Sequence, residues 1–531
     1  MKKIINKIVL VAMLMVFGIH TGCEKLEVEN LNQPNMSDVL ATPSDVENVV
    51  QSSFLAYWQA IKQYNIGMTA HVAADHTTVS WGNFGWRDNS EEPRTPWNND
   101  PSYGDSDMTE SVYYDLYAVI SQVNDALVQI LINGMEIGSN GAKNPMIEAT
   151  AYFIRGMAFG QLGLTFDKAM LPYHDSDLAL IEFQPWNEIL EAAVEEMQKA
   201  IAICQANSFD WGAGAVNGMT MNNTYMAQLA NSYAARFLTL GARNKAQNAD
   251  LNWTDKYSWT DVLNFTNNGI AADFAPVGQG LPWDGGSWWD LNIKYLRQPG
   301  WGRVDCRVVN LLDPAYPVRY PTNNLGLATA PPQPHADLQP GEARSIDKRF
   351  EVDFMFMPSN DFRPERGGWH FSHYRHSRYD FPASTSEEGF FMGESRGPLR
   401  ELRAYDNELM KAEAMARTGN MGGAKAILND PNLPRKKRGE MPDVVADADV
   451  LKAIFYERYV ELFHNGYLIS FCDMRRTDEL QQGTPLHYPV PGRELLALGM
   501  ELYTFGGYGN ADGINTSDGG DWIKPYYHFQ P

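Results

Sequence analysis

Cysteine is scarce, with four in 531 residues. That density excludes a disulfide-stapled scaffold, and the absence of any C-x-x-C pair removes zinc-ribbon and redox readings. Positive charge is also short. Lys and Arg total 43 against 65 Asp and Glu, a formal charge of −22. So acidic a surface repels phosphate backbones and argues against nucleic acid as a partner. No nucleophile elbow, P-loop, H-E-x-x-H or Rossmann glycine fingerprint occurs. No apolar run reaches the roughly 20 residues that a membrane-spanning helix needs.

Material for a core is present. Apolar residues make up 44% of the chain and aromatics 12%, well outside the composition of disordered chains. Lys2, Lys3 and Lys7 precede an apolar run from Ile8 to Ile19, the order of a secretory leader. His20-Thr21-Gly22-Cys23 follows and resembles a bacterial lipobox, although His20 stands where Leu, Val or Ile is usual. Residues 1–22 are therefore expected to be a lipoprotein signal peptide, and Cys23 the lipidated first residue of an acylated tether over 23–40. The leader carries three lysines and no acid, so the remainder stands at −25. Such an anchor holds a protein to a membrane without spanning it. Cys204, Cys306 and Cys472 lie in or beside apolar stretches and are expected to be mostly buried free thiols.

Helical periodicity dominates residues 41–250. Ser44-Asp45-Val46-Glu47 has capping-box spacing, and Val46, Val50, Phe54, Tyr57, Trp58 and Ile61 then recur every three or four residues. Val112 to Ile130, Tyr152 to Leu164, Ile189 to Ile201 and Tyr225 to Leu240 repeat that pattern. Residues 251–398 are different: rich in Gly, Pro, Trp, Asn and Asp, with little sustained period. A loop-rich stretch so long is usually functional. Helices resume over 399–531. Leu402 to Ala416, then Ala424 to Leu428, has the spacing of a tetratricopeptide helix pair, and Asp449 to Cys472 contains another strong helix. The expected fold is mostly α: tetratricopeptide-like helix pairs forming a scaffold, with a long loop-rich insert.

Tyr456-Glu457-Arg458-Tyr459-Val460-Glu461-Leu462-Phe463-His464-Asn465-Gly466-Tyr467, continuing to Asp473-Met474-Arg475-Arg476, resembles the signature of the SusD/RagB family of outer-membrane nutrient-binding lipoproteins. Asn465 and Leu468 depart from it, and the gap from Gly466 to Asp473 is two residues longer than the family pattern. Tyr488-Pro489-Val490-Pro491 with Glu494, the Ala149–Pro172 stretch, Asp347-Lys348-Arg349-Phe350 and Tyr405 to Leu428 extend the resemblance over most of the chain. It implies a surface-exposed, non-enzymatic receptor. Such a receptor captures an oligosaccharide and delivers it to a SusC-type TonB-dependent transporter. It would be anchored in the outer membrane by acylated Cys23 and face the exterior. A peptide-capturing receptor of the same family and a surface glycoside hydrolase are the alternatives. Glu457, Arg458 and Glu461 fall on neighbouring helix turns, with Asp473, Arg475 and Arg476 offering further pairs. They read as structural ties rather than catalysts.

No cofactor or metal is expected. His370, His373 and His376 are spaced in threes, but in a strand that spacing alternates faces. The candidate ligand residues are aromatics in polar loops. Trp81, Phe84, Trp86 and Trp97 share a segment with Arg87, Asp88 and Asn89. Trp283, Trp288, Trp289 and Trp301 lie with Arg303 in the insert. A tryptophan face offers an apolar platform for the C–H face of a sugar ring, and neighbouring polar groups take its hydroxyls. Large aromatics are mostly buried, so some of these cover core. As a set in glycine-rich loops, at least two or three are expected to line a site. Arg435-Lys436-Lys437-Arg438 reads as a solvated loop.

Overall fold

The computed structural model describes residues 40–79, 81–298, 300–321, 329–359, 371–379 and 395–520. The leader, Cys23, most of the tether and His370 lie outside the described residues. No described helix is long and apolar enough to cross a membrane.

The scaffold is a row of helices, each packed on its neighbours. Helix α1 (Pro43–Lys62) lies against α4 (Asp107–Leu127), α4 against α5 (Asn144–Thr165), α5 against α6 (Trp186–Ala206) and α6 against α7 (Asn223–Leu240). The row continues through α9 (Trp259–Asn267) to α13 (Ala404–Arg417), α14 (Met421–Leu428) and α16 (Val450–Glu461). Thus the region read as loop-rich contributes one helix to the scaffold, seated between α7 and α13. The apolar stripes read from the sequence are the buried faces: Val46, Val50, Phe54 and Ile61 on α1, and Val112, Leu116, Ile120 and Val123 on α4, are all buried. Helix α5 approaches its partners closely because it is lined with small residues. A Cβ on Gly160 would meet the Phe237 ring at 2.1 Å.

The start of α1 differs from expectation. Thr42, not Ser44, is the N-cap, with Asp45 completing the capping box and Pro43 in the first turn. The signature helix also divides. α16 ends at Glu461, and α17 (Ile469–Arg475) begins after His464, Gly466 and Leu468 have all taken left-handed conformations. The break spans Leu462 to Leu468. Cys204, Cys306 and Cys472 are buried free thiols, as expected.

Within 251–398 the strands are three residues long and pair two by two, antiparallel. Strand β4 (Val277–Gln279) meets β8 (Arg396–Pro398), which closes most of the insert into one excursion from the scaffold. Strand β6 (Phe354–Phe356) meets β7 (Tyr374–His376). Strand β2 (Lys168–Met170) pairs with β3 (Phe183–Pro185) inside the helical half. Strand β1 (Thr77–Val79), just after α2 (Ile66–Ala73), pairs with β5 (Gly302–Val304) of the insert.

Ion pairs bind the signature helix to everything around it. Arg349 donates to Glu457 at 2.6 Å and to Asp347 at 2.6 Å, and all three are fully buried. Arg435 also reaches Glu457, while Arg403 and Arg438 hold Glu461. Arg458 bridges Asp406 and Asp473, and Arg476 bridges Glu413 and Asp473. Burial alone would raise the Glu461 carboxyl, but Arg378, Arg403, Arg349 and Arg438 outweigh it and hold the group well below the usual range. Two sequence readings change here. Arg435 is buried and Arg438 half-buried and paired, so the basic run is no solvated loop. Among the described residues Arg475 meets no carboxylate. It donates instead to the carbonyls of Leu164, Leu240 and Leu486, so it caps the C-terminal ends of α5 and α7.

Candidate functional site

Pairing of β1 with β5 brings the two tryptophan-bearing loops together. Val79 lies opposite Gly302, so Trp81, just beyond β1, meets Trp301, just before β5. Their rings stack at 5.8 Å with 23° between planes, and the Trp81 indole N–H donates to the Gly300 carbonyl. Tyr295 on α10 (Leu291–Leu296) packs on Trp301 at 5.2 Å and on Phe84 at 5.3 Å. Tyr64, in the turn between α1 and α2, meets Phe84 at 5.4 Å. Trp86, first residue of α3 (Trp86–Ser90), is buried beneath and touches Phe84 and Trp301 edge-on. Six rings from four segments thus form one patch. Tyr64 is 40% exposed, and Trp81, Phe84, Tyr295 and Trp301 are half-buried.

The patch is held rigidly. Phe84 has φ +63°, a conformation costly for a bulky residue, of order 1–3 kcal/mol. Thr69 donates to its carbonyl at 2.7 Å and Asp105 accepts from its N–H at 3.0 Å. Burial raises the Asp105 carboxyl, and the N–H groups of Gly85 and Phe84 only partly offset it. Each aromatic pair contributes roughly 0.5–1.5 kcal/mol beyond its burial. The α10 wall is fixed by charge: Asp290, its N-cap, binds Lys62 at the end of α1, and Lys62 also binds Glu401.

The remaining candidates divide. Trp283 is 57% exposed, and the Lys294 ammonium lies over its ring at 5.1 Å and over Tyr295 at 5.9 Å, so Trp283 extends the patch through Lys294. Arg87 and Asp88 are exposed on α3. Arg87 faces Glu91, and Asp88 accepts from the Tyr103 hydroxyl. Trp97, Trp288 and Trp289 are buried. Trp97 is wedged between Tyr103 and Tyr488, and Trp288 packs on Trp58. Trp289 packs with Leu281 and Leu291, and its carbonyl accepts from Trp58. Asn89 turns inward to the Gly85 carbonyl, and Arg303 is buried with a guanidinium donating to the Ser359 carbonyl. Tyr64, Tyr295 and Lys294 were not singled out from sequence. Tyr64 carries the available signal, a loop aromatic between two helix patterns. Among the described residues no group of three or more His, Cys, Asp or Glu is arranged to hold a metal ion.

No protein-family model and no curated protein matches the chain in sequence. Solved structures do match its fold. A SusD-like carbohydrate binding protein from Bacteroides vulgatus aligns with TM-score 0.54 and 16% identity, over 84% of this chain and 86% of its own. A SusD superfamily protein from Parabacteroides distasonis aligns with TM-score 0.54 and 14% identity, over 85% of this chain and 97% of its own. A SusD-like carbohydrate binding protein from Bacteroides fragilis gives TM-score 0.54 at 15% identity, over 82% of this chain and 86% of its own. The chain has the SusD-like fold, in agreement with the resemblance read from its signature helix.

Proposed function

We propose that this protein is a SusD/RagB-type receptor that captures an oligosaccharide on the Trp81–Phe84–Tyr295–Trp301 patch and passes it, unaltered, to a SusC-type TonB-dependent transporter. The observation that carries the reading is the convergence of the two tryptophan loops on one partly exposed surface. The rings offer apolar platforms, because the Trp81 N–H is already committed to Gly300. Exposed Arg87, Asp88 and Asn83 supply hydrogen-bonding groups nearby. Acylated Cys23 would hold the receptor to the outer membrane with the patch facing outward. Calorimetry or affinity electrophoresis against glycan and peptide panels tests this. Glycan binding that weakens in Trp301→Ala is the expected result. Binding of peptides alone would place the protein in the peptide-capturing branch.

One observation favours a hydrolase as second reading: Asp105 accepts from the Phe84 N–H, lies within reach of the Asp88 charge, and has its carboxyl raised, chiefly by burial. Both are already engaged, Asp105 with backbone N–H and Asp88 with Tyr103, which suits scaffolding better than acid catalysis. Release of reducing ends from a bound glycan, abolished by Asp105→Asn, would establish the hydrolase instead.

A further inference from the structure

At the far end of the Trp81–Arg94 segment lies a second concavity, distinct from the patch. It is a cleft of about 480 Å³, within the roughly 300–1,000 Å³ of small-ligand sites. Glu92, Arg319, Gln481, Gln482, Tyr508 and Asp518 line it. None of these belongs to the aromatic patch.

The cleft is preformed. Its floor is a buried network in which Asp75 accepts from the Arg94 guanidinium at 2.8 Å and from the Gln481 amide at 2.8 Å. Arg94 also donates to the Asn89 carbonyl, which ties the floor to α3. The two walls are joined by backbone hydrogen bonds: the Tyr508 N–H donates to the Arg94 carbonyl and the Gly507 N–H to the Gly483 carbonyl. Gly506 and Gly507 both hold positive φ, which lets the chain turn sharply and present Tyr508. The backbone of Tyr508 is therefore fixed while its side chain stays 55% exposed.

The lining chemistry narrows the ligand. One exposed ring supplies a stacking face. Gln482 offers an amide donor and acceptor, and Asp518 an exposed carboxylate acceptor. Arg319 is paired with Glu92 at 3.2 Å, and Arg94 is paired with Asp75. The cleft therefore carries no surplus of positive charge and disfavours anionic groups. We infer that this cleft is a second saccharide site taking a neutral hexopyranose unit, with Tyr508 as its platform. The inference rests on the receptor reading above and adds a site to it.

The test is calorimetric titration of the full chain in detergent with malto-, cello- and mannohexaose. Wild type should bind one of these in two classes. Tyr508→Ala should weaken one class at least tenfold, Tyr508→Phe should leave it within about threefold, and Trp301→Ala should weaken only the other. Unchanged melting temperature in Tyr508→Ala confirms that its fold is intact, as expected for an exposed side chain. Heat lost in Trp301→Ala but unaltered in Tyr508→Ala overturns the second site and leaves the patch standing. Heat altered by neither substitution, or absent in wild type, overturns both.

Discussion

At the joint beneath α16, Arg349, Glu457 and Glu461 are wholly buried, each charge answered by another. At the aromatic patch, rings from four segments meet and leave part of their surface to solvent. The joint gathers residues from α13, α15 (Pro434–Lys437), α16 and α12 (Arg349–Asp353), and Arg349, Glu457 and Glu461 present no surface to a ligand. The patch rings cover a small core of Met68, Val72, Val79, Trp86 and Leu296 and leave part of their apolar faces in water. Charge placed where water is excluded fixes one geometry. Aromatic surface placed where water enters has a use only if something displaces that water. The patch and α16 are connected through charge: Lys62 binds Asp290, which caps the helix that carries Tyr295, and Glu401, which Arg236 joins to Asp406, the partner of Arg458 on α16.

Removing one carboxylate at the joint should unsettle α16. Glu457→Ala removes the carboxylate that Arg349 and Arg435 share in a dry interior, leaving their positive charge under-compensated, and should cost about 3–5 kcal/mol of stability. Urea unfolding measures it. A loss below about 1 kcal/mol would mean the network is not what holds α16. Acid should act at least as strongly, through a cluster of four buried histidines whose rings pack on one another: His71, His76, His376 and His464. Burial, with neighbours such as Lys62, lowers His71 to about 3, and burial pushes the other three well below the usual histidine range. Their folded forms are neutral, so the unfolded chain gains protons first. Stability is whole above about pH 6.5 and falls as pH drops from there toward 3, by roughly 1.4 kcal/mol per histidine per pH unit. Thermal melts between pH 7 and 5 check this, and His76→Phe, keeping the stack on Phe463, should flatten the slope by one histidine's share.

At the patch the expected effects fall on binding rather than folding. Trp283→Ala should weaken glycan capture by about 1–2 kcal/mol with the melting temperature unchanged, since the ring is largely exposed. Equal affinity would confine the site to the Trp81–Trp301 stack. Arg87→Ala should matter least, within about 0.5 kcal/mol of stability, because its pair with Glu91 is exposed and long at 3.8 Å.

The helical scaffold and the signature ties were legible because their signals are local. Glu457, Arg458 and Glu461 sit on adjacent turns, and the apolar stripes repeat every three or four residues. What Glu457 pairs with was not legible, since Arg349 lies 108 residues away. Arg435 and Arg438 lie only 22 and 23 residues from Glu457 and Glu461, but a run of four basic residues looks the same whether it faces solvent or folds back onto a helix. The patch was legible as an inventory of tryptophans but not as a geometry. Strands β1 and β5, which bring Trp81 to Trp301, are three residues long, too short to leave an alternating pattern. Trp288 and Trp301 come from equally polar, glycine-rich sequence, yet Trp288 finds Trp58 beneath it and Trp301 finds the surface. The cleft around Tyr508 left no sequence signal, because its walls are joined by backbone groups that any residue carries.

Capture of sugar by the stacked patch is open to a single measurement. Titration of wild type and Trp301→Ala with the same bound oligosaccharide, at a temperature where both are folded, tests it most directly. Trp301→Ala should lose at least tenfold in affinity. Affinity within twofold of wild type would contradict it.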